Sequence, residues 1–263
     1  MFVETAGSGV PEMVFVHGFG CDHTDWAAQV AAFRTAQSVL ACDLRGHGRT
    51  PGEPDDCSIE TLGADVARLV TQRDLKEAIL VGHSMGTRVV LEAYRGAPER
   101  VAGLVLIDGS RMGTGDPAQA EEAMRAAIDF VGFPAFAEAL FKGMFFRPGA
   151  DATRIVARGK RLPAAIGAVL FPRMARWDAG GMDAALDAVR VPLMVIQSTT
   201  LNADRKRVPL AAGETTPWLD LVRRRVAYAR IEVIPGVSHF SQIDVPERVN
   251  ALLADFVGSL AEF

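Results

Sequence analysis

The stretch ILVGHSMGTRVV, residues 79–90, holds one serine, Ser84, with a glycine two residues to either side. An apolar run leads into it and a helical pattern leaves it. A strand that turns sharply into a helix at a serine strains that residue and projects its hydroxyl from the C-terminal edge of a sheet. Gly82 and Gly86 remove the Cβ atoms that would collide in such a turn. The bland reading is a small residue in an ordinary turn, and the surrounding sequence has to decide.

Working outward, short apolar runs alternate with helical ones. Residues 13–18, 38–43, 78–84, 103–109, 192–198 and 231–236 read as strands, apolar on both faces like those of a covered parallel sheet. Helical patterns occupy 25–34, 58–73, 85–96, 217–229 and 245–261. This alternation predicts an α/β fold, a doubly wound, mostly parallel sheet with right-handed crossovers. It breaks once. Residues 111–190 show no convincing strand and are rich in Ala, Met and Phe. Loops of that length are rarely structureless. The segment is therefore expected to be a helical lid inserted into a core of residues 1–110 and 191–263. Most of its large apolar residues should form its own core, with Phe136, Phe145 and Trp177, and Phe19 from the core, chosen to face a substrate pocket.

Composition narrows the function. A net charge of −4 argues against nucleic acid as the main partner. The basic clusters 205–207 and 223–225 read as solvated or ion-paired faces rather than an anion clamp. Three cysteines, Cys21, Cys42 and Cys57, without framework spacing suggest reduced thiols and a cytoplasmic setting. No signal peptide and no membrane-spanning run are read from the sequence. No zinc spacing, P-loop or dinucleotide fingerprint is found, so neither a metal nor another cofactor is expected.

A serine hydroxyl needs a base to take its proton. Of the five histidines, His83 adjoins the serine and should point elsewhere, and His17 ends an earlier strand. His239 sits in a loop after the last strand, at the same sheet edge as Ser84. Taken alone, such a histidine is more often structural. Taken with the elbow, it is the expected base. A developing oxyanion also needs fixed donors. The N–H of Met85 at the helix start and that of Phe19, between Gly18 and Gly20, are the candidates.

In order, HGFG (17–20), DLRGHGRT (43–50), GHSMG (82–86), LVLIDG (104–109) and IPGVSHF (234–240) resemble the α/β-hydrolase superfamily, closest to its small bacterial esterase, lactonase and haloperoxidase-like members. The resemblance spans nearly the whole chain outside the lid. It implies the Ser84-then-His239 order, an oxyanion hole at Phe19 and Met85, and a helical lid. It also makes His17 and the loop carrying Asp43 structural. At most one strand precedes residue 13, so an edge strand of the family's sheet is expected to be missing.

The triad acid departs from the pattern. The usual positions after the penultimate strand hold Thr200 and Leu201. Asp204 lies a few residues late, and Glu214 could serve if the loop doubles back. Asp108, at the end of the preceding strand, is favoured because a strand end is better fixed than a long polar loop. Its competing role is to cap the turn. Arg111 could bind a substrate carboxylate, although an ion-paired arginine is its commoner reading.

Together these readings predict a cofactor-independent serine hydrolase acting on a carboxylic ester of a small, mostly apolar acyl substrate. A lactonase or carbon–carbon bond hydrolase on the same triad is the alternative. A serine nucleophile argues against dehalogenase and epoxide hydrolase chemistry, where the superfamily uses Asp. A second class, a ligand-binding receptor with a weak triad, is motivated by the displaced acid.

Overall fold

The computed structural model describes residues 1–202, 204 and 206–260. Seven strands form one sheet in the order β1-β3-β2-β4-β5-β6-β9. They are β1 (Val3–Ala6), β2 (Met13–Val16), β3 (Val39–Cys42), β4 (Ala78–His83), β5 (Val101–Ile107), β6 (Leu193–Gln197) and β9 (Arg230–Val233). All pairings are parallel except that of β1 with β3. A separate hairpin, β7 (Thr199–Leu201) with β8 (Arg207–Pro209), follows β6 directly.

Side-chain alternation along the strands divides the core in two. Met13, Phe15, Ile79, Val81, Val105, Ile107, Met194 and Ile196 face one side. There they meet Trp26 and residues of α1 (Ala27–Phe33) and α11 (Pro246–Ser259). Val14, Val16, Leu80, Leu104, Leu106 and Val195 face the other. That side is covered by α2 (Ile59–Gln72), α3 (Met85–Gly96) and α9 (Pro217–Arg225). With both faces covered, the strands have no polar side, which is why they read as continuous apolar runs.

Between β5 and β6 the chain forms five helices: α4 (Pro117–Val131), α5 (Phe133–Lys142), α6 (Ala150–Gly159), α7 (Ala164–Gly180) and α8 (Met182–Asp187). Their apolar residues, including Phe133, Phe141, Leu170 and Trp177, join the larger core cluster. Two buried ion pairs fasten them to the sheet. Arg88 of α3 and Asp178 of α7 make a bidentate pair at 2.6 and 2.7 Å. Arg158 of α6 meets Asp25 at 2.5 Å and Asp22 at 3.0 Å, in the segment after β2.

Two details differ from the sequence reading. The hairpin β7–β8 was expected as loop, because its strands are three residues each and carry no alternating pattern. The final helix, expected over 245–261, is α11 (Pro246–Ser259), preceded by a short α10 (Ser241–Asp244) that was not expected; its expected end at residue 261 lies outside the described residues.

Candidate active site

β4 ends at His83 and α3 begins at Met85, so Ser84 is the whole turn. Its φ of 55° is in the left-handed region, rare for a residue with a side chain. Strain of this kind persists only where neighbours enforce it. The enforcement is visible. Ser84 N donates to Ile107 O of β5 at 2.9 Å. A Cβ on Gly82 would strike the Gly86 carbonyl, and one on Gly86 would strike that of Val16. Only glycine lets the turn close at this spacing. The Gly18 backbone approaches as tightly: a Cβ there would lie 3.1 Å from Ser84 Cβ. Met85 opens the helix, so its N–H is among those without an intrahelical acceptor.

His239 lies between β9 and α10 and is almost fully buried. Its carbonyl accepts a hydrogen bond from His83 Nε2 at 2.8 Å, and the two imidazoles are 4.7 Å apart. The loop is thereby hung on the residue next to Ser84. Its N–H donates to the Met144 carbonyl, in the segment after α5, at 3.2 Å. The ring Nδ1 donates to Asp108 Oδ2 at 2.5 Å. Nε2 is buried and has no hydrogen-bond partner among the described residues, Ser84 Oγ included. In ligand-free sites such contacts are often long and tighten when substrate arrives.

Asp108 is the residue that follows β5, fully buried, with φ 47°. Ser198 N and Thr199 N each donate to its Oδ1 at 2.8 Å, and Thr199 Oγ1 to Oδ2 at 2.5 Å. Arg207 Nη1, from β8, lies 3.4 Å from Oδ2. Burial alone would raise this carboxyl. The His239 hydrogen bond and the His239 and Arg207 charges outweigh it and hold Asp108 at about 2. Burial, then the Arg207 charge, pushes His239 down to about 4, against the pull of Asp108. At neutral pH the pair is therefore a carboxylate bonded to a neutral imidazole.

Of the carboxylates weighed from sequence, Asp108 meets His239. Asp204 is exposed in the connection between β7 and β8. Glu214 accepts the Ala211 N–H in an exposed turn. Asp43 accepts from His23 Nδ1 and from the backbone of His23 and Arg49, a structural knot. His17 is likewise structural: Nδ1 donates to Gly18 O and Nε2 accepts from Leu44 N.

A cavity of about 900 Å³ opens among α4, α5, α7 and the hairpin. Phe136 and Phe145 line it, as expected. Trp177 and Arg111 do not. The Trp177 indole N–H is turned to Glu92 at 2.7 Å, and Arg111 is tied to Asp183 at 2.9 Å and to the Gly113 carbonyl. Their pocket roles are corrected accordingly: a buried indole N–H needs an acceptor, and an acceptor was available on α3. Phe19 is outside the cavity wall as well. Its ring packs edge-on to Phe171, 5.0 Å between centroids. The cavity adjoins the Asp108–His239 pair through three wall residues. Met144 holds the His239 N–H, Phe145 stacks on Phe240 at 5.1 Å, and Arg207 touches Asp108. Arg207 was missed as a site residue. Its place in a basic triplet pointed to a surface, and Arg205 of that triplet lies outside the described residues. In the other triplet Arg223 and Arg225 are ion-paired, as expected.

The sequence pattern of the alpha/beta hydrolase family matches residues 13–252. The chain belongs to the alpha/beta hydrolase family. It is 28% identical to a non-heme haloperoxidase of Rhodococcus erythropolis, covering 98% of this chain and 96% of that one. It is 26% identical to the dihydrolipoyllysine-residue acetyltransferase component of the acetoin cleaving system of Cupriavidus necator, covering 96% of this chain and 65% of that one. The chain spans only 30% to 65% of the length of that component and three other curated relatives. Among solved structures, a malate-bound thermophilic esterase of Thermogutta terrifontis superposes with a TM-score of 0.81 at 25% identity, covering 98% of this chain and 93% of that one. Among the described residues, no helix is long and apolar enough to cross a membrane.

Proposed function

We propose that the protein is a serine hydrolase that cleaves a carboxylic ester through an acyl-enzyme. The observation that carries this reading is the buried Asp108–His239 hydrogen bond, suspended from the residue beside a strained Ser84. Ser84 Oγ attacks the carbonyl carbon while His239 Nε2 takes its proton. Asp108 holds Nδ1–H, so the free nitrogen is the basic one, and it stabilises the imidazolium that forms. The N–H groups of Phe19 and Met85 receive the oxyanion. His239 then protonates the leaving alkoxide, and water, deprotonated by His239, releases the acid. The five helices between β5 and β6 serve as the lid. A lactone would follow the same steps with its leaving group still tethered, so lactonase is the neighbouring reading. The receptor reading draws on a displaced acid, and the Asp108–His239 contact supports the enzyme reading over it.

Labelling with a fluorophosphonate tests the reading. Wild type should label and hydrolyse p-nitrophenyl esters. Ser84→Ala should do neither while keeping its fold. A folded wild type that fails to label overturns it.

A further inference from the structure

The cavity beside the site has an uneven wall. Most of it is apolar, built from Met, Phe, Ala and Leu side chains of the helices. Among the described residues its charged wall residues are Lys206 and Arg207, both cations and both from the hairpin end, and no carboxylate lines it. Two like charges at one end of an apolar chamber raise the local potential for an anion.

Arg207 is the more telling of the two. Its side chain is only 11% exposed. A guanidinium so far from water needs compensation. The protein supplies little. Nη1 makes both of its polar contacts, to Thr199 Oγ1 at 2.6 Å and Asp108 Oδ2 at 3.4 Å. The second is long for a charged hydrogen bond, and Asp108 is already shared among Ser198, Thr199 and His239. No other polar contact of the fork is found among the described residues, and Arg207 lines the cavity. A guanidinium edge facing an apolar chamber is matched by a planar anion that takes two parallel N–H bonds.

Building on the serine hydrolase reading, we propose that Arg207, with Lys206, binds a free carboxylate of the substrate. The protein would then act on a carboxylate-bearing ester or lactone whose apolar chain lies between the anion and the reacting carbonyl. The sequence-based candidate for this task, Arg111, is neutralised by Asp183. The cation moves to the hairpin.

The test compares two p-nitrophenyl substrates of equal chain length: the mono-ester of a short dicarboxylic acid and the ester of the matching monocarboxylic acid. Wild type should prefer the anionic substrate in kcat/KM by about tenfold or more, since a built polar site rejects an analogue lacking its partner. Arg207→Met should abolish the preference through a raised KM for the anionic ester, and Arg207→Lys should keep part of it. Because Arg207 also touches Asp108, the ratio between substrates is read, not the absolute rate. A wild type without preference overturns the proposal. So does an Arg207→Met that slows both substrates equally, which would make Arg207 a positioning residue for Asp108. Calorimetry with glutarate gives a second readout that needs no turnover. Wild type should bind it and Arg207→Met should not, and absence of binding to wild type counts against the site. Failure of Ser84 to label with glutarate still bound would remove the hydrolase reading and leave the anion site standing.

Discussion

The tip of β5 and the β7–β8 hairpin are the two places on this sheet edge that offered an acid for His239, and they do opposite things. The tip of β5 delivers Asp108 with its carboxylate bonded by two backbone N–H groups and fully out of water. The hairpin keeps Asp204 exposed and sends Arg207 inward. A carboxylate orients an imidazole only if it is itself held, and a strand end inside a parallel sheet is held by its neighbours on both sides. A short hairpin at the rim is not. With Asp108 bonded to His239 from β5, the segment after β6 presents a cation instead.

The sharpest way to break the comparison is to neutralise each carboxylate. Asp108→Asn should cost about 10³- to 10⁴-fold in kcat on a p-nitrophenyl ester, because the wrong tautomer is then favoured. Asp204→Asn should stay within about twofold of wild type, as surface changes do. The reverse pattern would move the acid to the hairpin.

The β5 tip also leans on Arg88. This residue donates to Ser84 O and Ser110 O while pairing with Asp178. Arg88→Ala strands a buried carboxylate and should destabilise the fold by about 3–5 kcal/mol in urea unfolding. A loss under about 1 kcal/mol would mean that the tip is held by the sheet alone.

Acid reads the buried histidines of the same core. His17, His47, His83 and His239 are buried, and desolvation lowers all four below the ordinary value of 6.5. Below pH 6.5 the unfolded chain takes up protons that the folded chain refuses, so stability falls with falling pH. The slope should approach about 1.4 kcal/mol per pH unit for each histidine involved. Asp108 works in the same direction, but at lower pH. Its contribution is intact through this window and is lost only as pH drops from the ordinary 3.8 through about 2. Thermal unfolding followed from neutral pH down to about pH 5 checks this, and a flat Tm contradicts it.

The smallest effect belongs to the hairpin. His239 must be neutral to act as base, and the Arg207 charge adds to burial in lowering it to about 4. The acid limb of kcat/KM should therefore lie well below the usual histidine range. Arg207→Met should move that limb to higher pH, since removing a nearby cation eases protonation. An unmoved limb would show that the hairpin does not reach the base electrostatically.

These contrasts also explain what could be read from the chain. The six parallel strands and the Ser84 turn were legible, because a covered parallel sheet writes itself as apolar runs and the turn demands Gly82 and Gly86. His239 was legible by its place after the last strand. Asp108 could be favoured but not separated from Asp204 and Glu214, since the choice depends on which loop meets the imidazole in space. Nothing in the pattern distinguishes Trp177, turned to Glu92, from Phe136, turned to the cavity; both are large apolar residues on lid helices. Arg207 was hidden for a related reason. A single inward residue on a three-residue strand leaves no periodicity.

The hydrogen bond from His239 N–H to the Met144 carbonyl joins the base to the helical segment through backbone rather than side chains. Substitution at residue 144 leaves that bond in place, apart from proline-like changes of the chain path. Movement of the segment does not: it exposes a buried donor, at about 1–3 kcal/mol, and frees the loop that carries the imidazole. On the serine hydrolase reading, the placement of His239 would thus be coupled to the position of the helical segment.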